Sequence, residues 1–194
     1  MRSFLPTLAF SALASATTYS ISIFAPDTVV DGAHLNAADQ TFYTGISGPA
    51  TYCPTNQESC PNTHETLVYA GLTGMAVQVP GGQAIYVHPS GLVQYTRAHS
   101  ASIPPGSFVG GWYNVTIVSN CMLSVQVLNF LPPDGLVTPG GVTLCPGVPE
   151  SMAGMGASYA LYAKTRGFNR TNCVDAIGLL LVGSIEEVGS WQYL

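Results

Sequence analysis

Leu67-Val68-Tyr69-Ala70-Gly71-Leu72-Thr73-Gly74-Met75-Ala76-Val77-Gln78-Val79-Pro80-Gly81-Gly82-Gln83-Ala84-Ile85-Tyr86-Val87-His88-Pro89-Ser90-Gly91-Leu92-Val93-Gln94-Tyr95-Thr96 is the stretch that decides the fold class. Short runs of Val, Ile, Tyr and Leu alternate with Gly and Pro, the pattern of short strands joined by tight turns. Residues 67–70 predict one strand, closed by Gly71. Residues 75–79 predict the next, closed by Pro80-Gly81-Gly82. A Pro-Gly pair suits the centre of a type II turn, where Pro presets φ and Gly supplies φ > 0. Residues 83–88 then place Ala84, Tyr86 and His88 on one face and Ile85 and Val87 on the other. Pro89-Ser90-Gly91 turns the chain again, and residues 92–96 complete an expected meander.

The same grammar extends in both directions. Further strands are predicted at residues 19–24, 41–43, 112–118, 123–130, 142–145, 159–163, 177–182 and 190–193. About twelve short strands result, without a long amphipathic helix; residues 172–177 have room for one short helical turn. The expected architecture is a single all-β domain, an antiparallel sandwich or barrel stapled by disulfides. A β-trefoil also uses twelve strands and fits the length, although a threefold repeat shows only as faint echoes around 41–43 and 84–87.

The N-terminus reads as a secretory signal over residues 1–16. Arg2 supplies a positive n-region, residues 4–13 an apolar core, and Ala14-Ser15-Ala16 a small-x-small cleavage pattern. That apolar run is shorter than the roughly 20 residues a membrane span needs. The most apolar later run, 177–182, has the length of a buried strand. The expected mature domain is residues 17–194, secreted to the extracellular space or cell wall, with no membrane attachment after cleavage.

Charged residues are only 8% of the chain. Without Arg2, four basic side chains (Arg97, Lys164, Arg166, Arg170) stand against ten acidic ones, a net charge near −6. Phosphate-binding surfaces need clustered Lys and Arg, which argues against nucleic acid as a partner. Hydrophobic residues make up 47%, enough to expect a packed core rather than disorder.

Export favours disulfides over metal ligation for Cys53, Cys60, Cys121, Cys145 and Cys173. Cys53–Cys60 is the favoured local pair, with Pro54 and Pro61 stiffening the loop between them. Cys145–Cys173 is the natural second pair, and other pairings stay open. Cys121, inside an apolar run, is then a buried free thiol. No two cysteines show C-x2–4-C spacing and the four histidines show no paired spacing, so no metal site is expected. No cofactor is expected either.

Asn114-Val115-Thr116 and Asn169-Arg170-Thr171 are N-glycosylation sequons. Catalytic constellations are harder to find. Gly-x-Ser-x-Gly is absent. Glu186 and Glu187 are adjacent, so on a strand they face opposite ways, and the other acids are isolated in the sequence. The reading is therefore a protein that is not an enzyme. His99 is either a pH-responsive base or a loop histidine that hydrogen-bonds the chain at a strand end. Tyr86, Tyr95, Trp191 and Tyr193 either stack on sugar rings or close the core.

Several pieces resemble a known family. They are Tyr52-Cys53-Pro54 with Cys60-Pro61, Val79-Pro80-Gly81-Gly82-Gln83, Tyr86-Val87, Ser90-Gly91-Leu92 and Tyr95-Thr96. Ala98-His99-Ser100, Pro105-Gly106, Cys145-Pro146 and Trp191-Gln192-Tyr193 continue the series. In order and spacing the chain resembles the fungal IgE-binding-protein-like secreted antigens, which include cell-wall proteins associated with phialides. The resemblance implies a secreted, surface-associated, non-catalytic protein with a structural or interaction role. Its partners would be wall polysaccharide or other wall proteins, and carbohydrate binding is the alternative role. It also implies disulfides at Cys53, Cys60, Cys145 and Cys173. Residues 112 to about 138 depart from the family pattern, as an added hairpin or as a gene-model error such as a retained intron.

Overall fold

The computed structural model describes residues 17–118, 123–135, 140–152 and 158–194. Its strands are β1 Thr18–Phe24, β2 Asn36–Ala38, β3 Thr41–Thr44, β4 Thr51–Tyr52, β5 Val68–Tyr69, β6 Ile85–Val87 and β7 Val93–Tyr95. They continue with β8 Trp112–Ile117, β9 Val125–Phe130, β10 Val142–Pro146, β11 Tyr159–Ala163, β12 Val174–Ala176, β13 Gly178–Gly183 and β14 Gln192–Tyr193. One sheet runs β5-β1-β13-β9-β8; a second runs β12-β10-β11-β3-β7-β6, with β2 also on β3; β14 and β4 form a small third. Every strand pair is antiparallel.

The two larger sheets face each other over one apolar cluster. Ile21, Ile23, Leu128, Phe130 and Leu179 come from the first sheet; Phe42, Ile85, Val93, Tyr95, Leu144 and Leu161 come from the second. Alternation explains β1, where Ile21 and Ile23 point inward and are fully buried. Edge-to-face rings pack within each sheet, Phe42 on Tyr95 at 5.5 Å and Trp112 on Phe130 at 5.2 Å, and Phe108, bridged to β6, meets Phe130 of the first sheet at 6.3 Å. The sheets do not close into a barrel, so the fold is a disulfide-stapled β-sandwich.

The expected meander survives only in part. β6 and β7 form a hairpin from Ile85↔Tyr95 to Val87↔Val93. Its loop is a type I turn followed by a left-handed glycine: Gly91 N–H donates to His88 O at 2.7 Å, and Gly91 has φ 91°. A Cβ on Gly91 would lie 2.5 Å from Ala163 O, so glycine is required there. The type II turn also forms, with Gly82 N–H on Val79 O at 2.9 Å and Gly81 at φ 88°. β5, by contrast, belongs to the other sheet. The chain changes layers through a 3₁₀ turn at Ala70–Leu72, where Gly71 and Leu72 both take positive φ.

Residues 75–79 make no ladder of their own. Gln78 and Val79 N–H groups donate instead to Ser190 and Trp191 carbonyls at 3.2 and 2.9 Å. The short turn expected at 172–177 is mostly strand β12, pulled straight by its pairing with β10 at Val142↔Ala176 and Leu144↔Val174. Pairing with distant strands overrode the local pattern in both places.

Both disulfides join the favoured partners, Cys53 to Cys60 and Cys145 to Cys173. β8 and β9 pair antiparallel from Trp112↔Phe130 to Ile117↔Val125. The pair is integral to the core, because β9 buries Val127, Leu128 and Phe130. Cys121 and residues 1–16 lie outside the described residues. No helix among the described residues is long and apolar enough to cross a membrane.

Candidate functional site

A groove of about 500 Å³ lies on the second sheet's flank. Three distant segments build it. The β1–β2 connection brings Val29, Ala33 and His34. β2, β3 and the loop after β3 bring Asn36, Thr44 and Ser47. The approach to β5 brings His64 and Glu65, and Tyr159 opens β11 alongside. Tyr159 sits directly opposite Thr44 in the β3–β11 ladder.

The floor is rigid. Asn36 Oδ1 accepts Thr66 N–H at 3.2 Å, and Thr66 Oγ1 accepts Ala37 N–H at 2.7 Å, both buried. These bonds pin the approach to β5 onto β2, which brings Glu65 to His34. His34 Nδ1 lies 3.6 Å from Glu65 Oε1, with both side chains about half exposed. Such a solvated pair contributes about 0–1 kcal/mol to stability. The connection above it is held by Asp31 Oδ1 accepting Ala25 N–H at 2.8 Å.

The lining joins hydroxyls, an amide, two imidazoles and one phenol ring with the apolar side chains of Val29, Val30, Ala33 and Ile46, and holds a single carboxylate, Glu65. Hydrolysis of a glycosidic bond by the usual route uses two carboxylates about 5–10 Å apart. The groove offers hydrogen bonding and one ring face instead. Among the described residues no group of three or more His, Cys, Asp or Glu gathers as a metal would require.

The aromatic candidates sit elsewhere. Tyr95 and Tyr193 are buried, and Tyr86 nearly so, hence none of the three offers a ring to a sugar. Trp191 is half-buried beside them. Together they anchor the C-terminal segment. Tyr95 Oη donates to Leu194 O at 2.5 Å, and Tyr193 Oη accepts Leu67 N–H at 2.9 Å. Gln83 completes the lock. Its Oε1 accepts Tyr193 N–H at 2.9 Å, while Nε2 donates to Tyr193 O at 2.9 Å and Thr96 O at 3.0 Å. Gly189 is glycine because a Cβ there would overlap Tyr193 Oη. Burial raises the Tyr193 phenol to about 12, and raises Tyr95 well above its ordinary value.

His99 is exposed, with φ 60°, in a turn closed by Ser100 N–H on Arg97 O at 3.1 Å. It rims one hollow with Gln40 and Leu194 and another with Pro80 and Ile103. Asn114 and Asn169 are both exposed. Sequence reasoning missed His34, His64 and Glu65, because pairing across strands leaves no spacing signal.

No family model matches the chain. No solved structure matches it. An uncharacterized secreted protein of the fungus Arthroderma benhamiae is 51% identical over 84 residues, 43% of this chain. The match spans 42% of that relative's own length. Over this portion the chain is similar to a secreted fungal protein, which supports export.

Proposed function

We propose that this chain is a non-catalytic secreted glycoprotein of the fungal cell wall, related to the IgE-binding-protein-like antigens and acting by interaction rather than turnover. The observation carrying this reading is the groove's chemistry: uncharged donors and acceptors and apolar side chains around one carboxylate, on a floor fixed by buried bonds. Two disulfides and a low surface charge suit a protein that persists outside the cell. Fractionation of hyphae expressing the chain with its own leader tests this. We expect it in wall and medium; confinement to the cytosol would contradict the proposal.

A second reading, carbohydrate binding, is favoured by the same groove. Neutral polysaccharides present hydroxyls and acetamides, which Ser47, His34 and His64 complement, and Tyr159 supplies a ring edge or face. Co-sedimentation with insoluble glucan and chitin decides it: retention no greater than an albumin control removes this reading.

A further inference from the structure

The sandwich protects its edge strands unevenly. An unpaired edge invites a strand from another molecule, and proteins blunt it with shortness, charge, Pro, bulges or cover. β5 has only two residues. β12 has three, and its Asp175 pairs with Lys164 at 2.9 Å. β6 is covered by Phe108, whose backbone exchanges bonds of 2.9 and 2.8 Å with Val87. Among the described residues the free edge of β8 has no paired strand, although the 3₁₀ turn Ala70–Leu72 approaches it. β8 closes the first sheet with six residues, Trp112 to Ile117, containing no Pro and no charge. No Lys, Arg, Asp or Glu occurs anywhere between Arg97 and Asp134.

β8 is also where a sequon falls. Asn114 and Thr116 alternate onto one strand face, and both are exposed. Asn114 lines a hollow of about 230 Å³ with Tyr19, Gln126, Leu128, Leu179 and Leu181, flanked by the 3₁₀ turn at Ala70 and Gly71. The hollow's aromatic ring, apolar side chains and amide match the apolar face and acetamide of an N-acetylated first sugar.

We propose that Asn114 is N-glycosylated, and that the glycan blocks pairing of β8 with a second copy of this chain. This rests on the reading of the chain as a secreted glycoprotein. In the transfer, Asn114 Nδ2 bonds to the anomeric carbon of a polyprenyl-pyrophosphate-linked oligosaccharide. The carbon–oxygen bond to phosphate breaks, the lipid pyrophosphate leaves, and the amide loses one proton to the transferase's base. Nothing is oxidised or reduced. An added strand would sit about 4.8 Å from β8, closer than a branched oligosaccharide on Asn114 permits.

The test uses the full chain secreted from a eukaryotic host. Peptide mass mapping reads Asn114 and Asn169 separately, and light scattering after gel filtration reads association. We expect a glycan at Asn114 and a monomer. Asn114→Gln, Thr116→Ala and endoglycosidase-trimmed wild type should each show a several-fold rise in dimer and larger species, whereas Thr116→Ser should keep both glycan and monomer. An unmodified Asn114 overturns the proposal, and so does a glycan-free protein that stays monomeric. A chain retained in the cytosol with its own leader would sink the export reading instead, and the same mapping with a substituted secretory leader still decides the glycan.

Discussion

Around Tyr193 the polar side chains are buried and meet partners within the chain, whereas His34 and Glu65 stand half exposed to solvent. The first region holds Gln83, Tyr95 and the last strand in bonds of 2.5–3.0 Å, inside the sandwich. The second holds His34 and Glu65 at 3.6 Å, half exposed above a fixed floor. Both are rich in side-chain hydrogen-bonding groups, so composition does not separate them. Burial does: an unpaired polar atom is costly inside and cheap in water. The lock therefore carries stability, and the groove is free to carry recognition.

The sharpest way to break this contrast is Tyr193→Ala. It removes a buried ring and strips Leu67 N–H of its acceptor, and we expect a loss of roughly 3–5 kcal/mol. Urea denaturation reads it as a lower midpoint at unchanged slope. Next is Cys145→Ser with Cys173→Ser, which reopens a 28-residue separation and should cost about 3.5 kcal/mol on the chain-entropy model. The Cys53–Cys60 bridge, with a separation of 7, should cost about 2.5 kcal/mol.

Gln83→Leu should cost about 3 kcal/mol, because three bonds to the C-terminal strand and Thr96 disappear together. Alkaline pH presses on the same lock. The Tyr193 phenol is raised to about 12 in the folded chain from an ordinary value near 10. Its contribution is thus complete below pH 10 and is lost as pH rises through 12, roughly 2–3 kcal/mol in all. Tyr193→Phe should flatten that alkaline decline while lowering stability at neutral pH by about 1–2 kcal/mol, through the unpaired Leu67 N–H. His34→Ala sits at the other end, with a change within about 0.5 kcal/mol.

Turn chemistry and alternation were legible in the chain itself. Pro80-Gly81 and Pro89-Ser90-Gly91 specify their turns locally, β1, β3, β8, β9 and β11 follow runs of β-branched and aromatic residues, and β13 follows an apolar Leu-rich run. What was not legible depended on distant partners. Residues 75–79 look like a strand, yet their donors scatter, Met75 to Gln83, Ala76 to Leu67, and Gln78 and Val79 to the C-terminal segment. The local pattern around Val174–Ala176 allows a turn, and only pairing with β10 makes it straight. The groove was hidden for the same reason: His34 and Glu65 are 31 positions apart and meet where Asn36 of β2 bonds Thr66 in the loop before β5. Gln83 gave no signal either, since a buried amide looks like any loop glutamine until its partners are known.

The most direct test of a recognition groove separate from the stabilising lock is retention of His34→Ala with Glu65→Gln on insoluble wall glucan and chitin, against wild type. We expect the double variant to keep the wild-type melting temperature and lose most of its retention. Wild-type retention in the double variant, or none above albumin in the wild type, would contradict it.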